Sequence, residues 1–219
     1  MESLLPSVIV EPARQHRTSI IWLHGLGADG HDFEPMASEL DLPDEWGVRF
    51  ILPHAPRQPI TINGGYVMRA WYDIASSAIE RTPDVEGILT SRQAVEQLIR
   101  EEREQGIPPE RIILAGFSQG GVIAIETATR NQTQVGGAIA LSCYAATPER
   151  IPAATGALPF FMGHGLQDTI VPLTLGSAAR SRLEDQGYKV EWRDYAMPHS
   201  VCAQEIDDIR NWLIERIDL

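Results

Sequence analysis

The sequence predicts an α/β fold, a mostly parallel sheet with helices on both faces. Three observations carry this. Short apolar runs alternate with longer amphipathic stretches along the 219 residues. The runs are nearly continuously apolar, which suits strands buried on both faces. One run leads through Gly116-Phe117-Ser118-Gln119-Gly120 directly into a helix-like stretch.

Taken in order, Ser7–Val10 reads as an outer strand, and Ser19–Leu23 and Val48–Leu52 as the first inner strands. Residues 53–81 break the alternation: Pro53, Pro56, Pro59, Gly64 and Gly65 mark an extended or hairpin excursion, and Tyr66, Trp71 and Tyr72 suit a substrate lip. Asp84–Gln105 reads as a helix with Ile88, Val95, Leu98 and Ile99 on one face, stopped at Gly106. Arg111–Ala115 is a strand and Gln119–Arg130 the helix after the Gly-rich turn. Ala138–Leu141 and Leu158–Met162 are further strands, followed by a helix over Leu173–Asp185 that ends before Gly187. Lys189–Tyr195 reads as the last strand. Ser200–Ile217 is the last helix, with Ile206, Ile209, Leu213 and Ile217 forming one stripe. The expected organisation is one domain over residues 1–219, with no large cap domain.

Composition narrows the function. Eighteen basic against thirty acidic residues give a net charge of −12. That balance argues against nucleic acid, whose binders neutralise phosphates with Lys and Arg, and against stable association with anionic membranes. No stretch approaches the roughly 20 apolar residues of a membrane helix, and the first residues lack a basic segment followed by an apolar one. Two cysteines, Cys143 and Cys202, do not make a disulfide framework, so a cytoplasmic location is expected. No H-E-x-x-H, C-x-x-C or P-loop pattern occurs, and no cofactor or metal is expected.

The chemistry gathers at Ser118. A strand–G-x-S-x-G–helix sequence is the setting of a nucleophile elbow, in which small neighbours permit a strained turn that presents the serine hydroxyl beside a helix N-terminus. A serine needs a base and a carboxylate that orients it, following in the order Ser, Asp/Glu, His. Of six histidines, only His164 and His199 follow Ser118. His199 comes after the last strand and Asp168 after the preceding one, both at C-terminal strand ends, where open α/β sheets place their sites. With His164 as base, the carboxylate would be Glu126 or Glu149, neither at a strand end. Asp168 and His199 are therefore the expected partners, and His164 a supporting residue near Asp168. Asp185 and Asp194 read as solvated surface charge. For the oxyanion hole, the elbow supplies the Gln119 N–H. The glycine-rich loop His24-Gly25-Leu26-Gly27 after the first inner strand supplies the Leu26 N–H.

These motifs resemble the small carboxylesterases and acyl-protein thioesterases of the phospholipase/carboxylesterase family, in the α/β-hydrolase superfamily. The resemblance runs over IIWLHGLGADG, ILPHAP, INGGY with AWYDI, RIILAGFSQGG, GHGLQDTIVP and MPHSVCAQEI. It implies a Ser118–His199–Asp168 triad, an oxyanion hole from Leu26 and Gln119, and a substrate lip around Trp71 and Tyr72. Pro198 departs from the Gly or Met expected before the histidine and stiffens that loop. The expected activity is serine carboxylesterase hydrolysis of short- to medium-chain esters or thioesters. The alternatives are acyl-protein thioesterase, lysophospholipase, or a catalytically inactive binding fold. The expected partner is a small-molecule ester, and the expected state a monomer or homodimer.

Overall fold

The computed structural model describes residues 4–76, 83–132 and 134–217. Among them, seven strands form one sheet: β1 (Ser7–Val10), β2 (Thr18–Leu23), β3 (Val48–Pro53), then β6 (Ile112–Phe117), β7 (Gly137–Leu141), β8 (Pro159–Gly165) and β9 (Lys189–Tyr195). A separate two-stranded hairpin pairs β4 (Arg57–Ile60) with β5 (Tyr66–Arg69). The helices are α1 (Met36–Glu39), α2 (Val85–Glu104), α3 (Gln119–Arg130), α4 (Leu173–Asp185) and α5 (Ala203–Ile217).

The sheet order is β1-β3-β2-β6-β7-β8-β9, parallel except for the antiparallel edge strand β1. The chain moves from β2 outward to β3, then returns to place β6 on the other side of β2. The crevice at the C-terminal ends of β2 and β6 is therefore the switch point where α/β sheets bind ligands.

Buried strands feed both faces, as their continuous apolar pattern predicts. Ile21, Leu23, Ile112 and Leu114 pack with α2, α3 and α4 on one side. Ile20, Trp22, Ile113 and Ala115 pack with α1 and α5 on the other. The predicted stripe on α2 is buried at Ile88, Val95, Leu98 and Ile99. Asp84 caps that helix by accepting from the Gly87 N–H at 3.0 Å. Gly106 ends it in the left-handed region at φ +93°. On α5, Ile209, Leu213 and Ile217 are buried, joined by Trp212.

Several elements differ from the sequence reading: β6 runs Ile112–Phe117 and β8 extends to Gly165, which places His164 on the strand. The last helix starts at Ala203 rather than Ser200, because Ser200 N–H closes a turn onto the Pro198 carbonyl at 2.9 Å. Helix α1, only four residues long, carries too little periodicity to be read in advance.

Glu205, in the first turn of α5, is a buried carboxyl whose oxygens meet no hydrogen-bond partner among the described residues. Its carboxyl rests against Gly163 so closely that a Cβ there would collide with it. Burial, and secondarily the Asp208 carboxylate, push its pKa up to about 8. The folded chain therefore keeps a proton that the unfolded chain releases above the ordinary carboxylate range. This contribution to stability is full at acid pH and is lost as pH rises toward 8, at up to about 1.4 kcal/mol per pH unit. Urea unfolding near pH 5 and near pH 8 should show that loss, and Glu205→Gln should flatten it.

Candidate active site

The elbow is built by steric necessity. Ser118 sits at φ 55°, ψ −119°, a strained conformation for a residue with a side chain. Its N–H donates to the Leu141 carbonyl at 2.9 Å, and its own carbonyl accepts from Val122 N–H at 3.2 Å, tying the turn to β7 and α3. A Cβ on Gly116 would fall on the Gly120 backbone, and one on Gly120 on the Leu23 carbonyl. Both glycines of the motif are thus fixed by backbone contact.

Sheet register brings the other two residues together. Gly165 of β8 pairs with Tyr195 of β9, so the loops that follow emerge side by side. Asp168 and His199 lie in those loops, and His199 Nδ1 donates to Asp168 Oδ2 at 2.6 Å. The other carboxylate oxygen accepts from the Ile170 and Val171 N–H groups at 2.9 and 2.8 Å. With its Nδ1–H committed to the carboxylate, the ring turns Nε2 away from Asp168. The His199 ring lies 4.7 Å from Phe117, the residue before Ser118.

His164 is buried beneath this pair. Its Nε2 donates to the Val171 carbonyl at 2.9 Å and lies 3.6 Å from Asp168 Oδ2. Its ring stacks on Trp192 and packs so tightly on Gly176 that no Cβ fits there. Asp194 is exposed, while Glu126, accepting from the Thr147 hydroxyl at 2.5 Å, is buried elsewhere.

The glycine-rich loop is pinned from behind. Leu23 pairs with Gly116, so the loop leaves β2 beside the elbow. A Cβ on Gly25 would lie 3.4 Å from the Ser118 Cβ. His24 Nε2 accepts from Ala55 N–H at 3.0 Å, which places the proton on Nδ1, and Nδ1 donates to the Gly25 carbonyl at 2.7 Å. Burial lowers the His24 pKa, which favours this neutral tautomer. In a trans peptide the carbonyl and the following N–H point in opposite directions. Holding the Gly25 oxygen therefore aims the Leu26 N–H away from His24. Neither the Leu26 nor the Gln119 N–H donates to any described residue.

Trp71 and Tyr72, expected at a substrate lip, are both buried, at 1% and 2% exposure. Trp71 Nε1 donates to the His24 carbonyl at 2.8 Å, and Trp71 N–H to the Gln119 side-chain oxygen at 3.0 Å. Gln119 Nε2 returns a bond to the Tyr72 carbonyl at 2.7 Å, and the Tyr72 hydroxyl meets that of Tyr144 at 2.9 Å. These aromatics brace the loop and the elbow from inside. Of the three aromatics in the excursion, Tyr66 on the hairpin is the exposed one. The excursion backs the loop as well, through Gly27 N–H to the Arg69 carbonyl at 2.9 Å. Residues 77–81 of the predicted excursion lie outside the described residues.

The sequence reading missed Phe33, Phe117 and the bracing role of His24. A cleft of about 350 Å³ opens at His199, walled by Phe33, Met36, Phe117 and Ile206. Phe117 occupies a variable position of the G-x-S-x-G motif, the one local signal that marked it. His24 was passed over because it precedes Ser118. Cys143 is buried, which pushes its thiol well above the ordinary range, and Cys202 stands just before α5. Among the described residues no cluster of three His, Cys, Asp or Glu side chains is placed to hold a metal ion. None of the described helices is long and apolar enough to cross a membrane.

Residues 5–217 match the family model described as Phospholipase/Carboxylesterase. Acyl-protein thioesterase 1 of Neurospora crassa is 37% identical over 227 residues, covering 97% of this chain and 92% of that protein. The crystal structure of Arabidopsis thaliana SOBER1 superposes with a TM-score of 0.85 at 29% identity, covering 92% of this chain and 99% of that one. The crystal structure of Zea mays acyl-protein thioesterase 2 gives 0.86 at 25% identity, over 97% and 99% of the two chains.

Proposed function

The chain belongs to the phospholipase/carboxylesterase family, and from that premise we propose that it hydrolyses carboxylic esters and thioesters through Ser118, His199 and Asp168. The observation that carries this reading is the 2.6 Å bond from His199 Nδ1 to Asp168, beside the strained turn that presents Ser118. We read residues 1–219 as a single hydrolase domain. Two apolar clusters, one on each face of the same sheet, support this.

In the proposed reaction Ser118 Oγ attacks the carbonyl carbon as His199 Nε2 takes its proton. The Leu26 and Gln119 N–H groups receive the developing oxyanion. Collapse of the tetrahedral intermediate breaks the bond to the leaving alcohol or thiol, which takes the proton from His199. An acyl-serine remains. A water then gives its proton to the same nitrogen as it attacks the acyl carbon, and collapse of this second intermediate breaks the acyl–Oγ bond, returns that proton to Ser118 and releases the acid. Asp168 holds the imidazole in the tautomer that accepts at Nε2 and stabilises the imidazolium formed in each half.

The relatives named as acyl-protein thioesterases favour a thioester among the substrates. Steady-state hydrolysis of matched p-nitrophenyl esters and acyl thioesters, from acetyl to palmitoyl, tests this. Turnover of short and medium chains in both series is expected. A chain that cleaves neither series contradicts the proposal, and cleavage of lysophospholipid alone selects the lysophospholipase alternative.

His24 supplies a finer test. Its bond to the Gly25 carbonyl orients the peptide that carries one oxyanion donor, so His24→Ala should lower kcat toward the loss of that donor, about 10²–10³-fold. KM should change little. A kcat within twofold of the parent would show that the loop holds its orientation without the imidazole.

A further inference from the structure

A second cleft, of about 360 Å³, lies between α2, α3 and the turn after β7, and Ser118, Asp168 and His199 do not line it. Three arginines from three separate elements border it: Arg92 on α2, Arg130 at the end of α3, and Arg150 in the turn. In a chain with only 18 basic residues and a net charge of −12, that convergence runs against the overall balance.

The arginines are far from neutralised. The Arg130 guanidinium forms no ion pair within 4 Å among the described residues, and its charge acts on Glu126 across the cleft. Arg92 is held 3.5 Å from Glu96 one turn along its helix, and Arg150 lies 3.9 Å from its neighbour Glu149, a loose exposed pair. The turn is itself fixed, by Arg150 N–H to the Thr147 carbonyl at 2.9 Å and Arg182 Nε to the Pro148 carbonyl at 2.7 Å. Glu126 is the single acidic residue lining the cleft, and Thr147 covers one of its oxygens. Among the residues that line the cleft, three guanidinium groups stand against one carboxylate, while Glu96 and Glu149, outside the lining, offset Arg92 and Arg150 in part. The rest of the wall is apolar, from buried Ile88 and half-exposed Leu89.

We propose that this cleft binds a phosphomonoester whose organic part is small and apolar. Guanidinium forks match phosphate oxygens in geometry as well as charge. The Ile88–Leu89 wall gives the organic part a surface, and the volume falls within the range of small-ligand sites.

Isothermal titration calorimetry of the full chain at low ionic strength tests this with phenyl phosphate, inorganic phosphate and benzoate. Phenyl phosphate is expected to saturate one site per chain, and to bind about tenfold more tightly than either other probe. The double variant Arg130→Gln/Arg150→Gln should weaken it by about tenfold or more. Arg150→Gln alone, at a side chain 56% exposed, keeps the test valid if the double variant unfolds, and should weaken binding severalfold. No saturable heat at millimolar phenyl phosphate overturns the proposal, as does undiminished affinity in these variants. Benzoate binding as tightly overturns the phosphate, and inorganic phosphate binding as tightly overturns the apolar part.

Discussion

Ser118→Ala is expected to lower kcat for a p-nitrophenyl ester by about 10⁶-fold, leaving only what the oxyanion donors and binding supply. The fold should survive. The cost of holding residue 118 at φ 55° comes from its Cβ, which alanine shares, so the strained turn is no worse in the variant. Thermal unfolding should therefore stay close to the parent while activity disappears. A variant that retains even a hundredth of parental turnover would mean that another group is the nucleophile.

Asp168→Asn is expected to cost about 10⁴-fold in kcat, by a route visible in the hydrogen bonds. One carboxylate oxygen accepts from Ile170 and Val171 N–H, so the asparagine must keep its own oxygen on that side. Its NH2 group then faces His199 Nδ1, where the carboxylate oxygen had accepted at 2.6 Å. Nδ1 becomes an acceptor and the ring proton moves to Nε2, the nitrogen that must take the serine proton. Steady-state kinetics beside an unchanged circular dichroism spectrum test this. If the loss is less than tenfold, the 168–199 pair does not set the tautomer.

Strand identity was legible because strands buried on both faces must be nearly continuously apolar, as IIWL, IILA and AIAL are. Helix ends at Gly106 and Gly187 were legible because each takes a positive φ that glycine accepts without cost. The partners of Ser118 were read from chain order and strand ends, and the register between β8 and β9 sets the loops that hold Asp168 and His199 side by side. The fate of Trp71 and Tyr72 was not legible. What buries them is a set of bonds to His24, Gln119 and Tyr144, between 47 and 72 residues away, and no local period records such contacts. The same holds for Glu205, whose position on α5 suited a solvated first-turn acid until the packing against Gly163 enclosed it. The arginine cleft is likewise a product of three elements distant in sequence, each arginine reading alone as ordinary surface charge.

The central claim is that Ser118 is the nucleophile of an acyl-enzyme route. Intact-protein and peptide mass spectrometry after treatment with a fluorophosphonate tests it most directly. One adduct per chain, located on Ser118 and accompanied by complete loss of ester hydrolysis, is the predicted result. An adduct on any other residue, or continued hydrolysis by fully labelled protein, would contradict it.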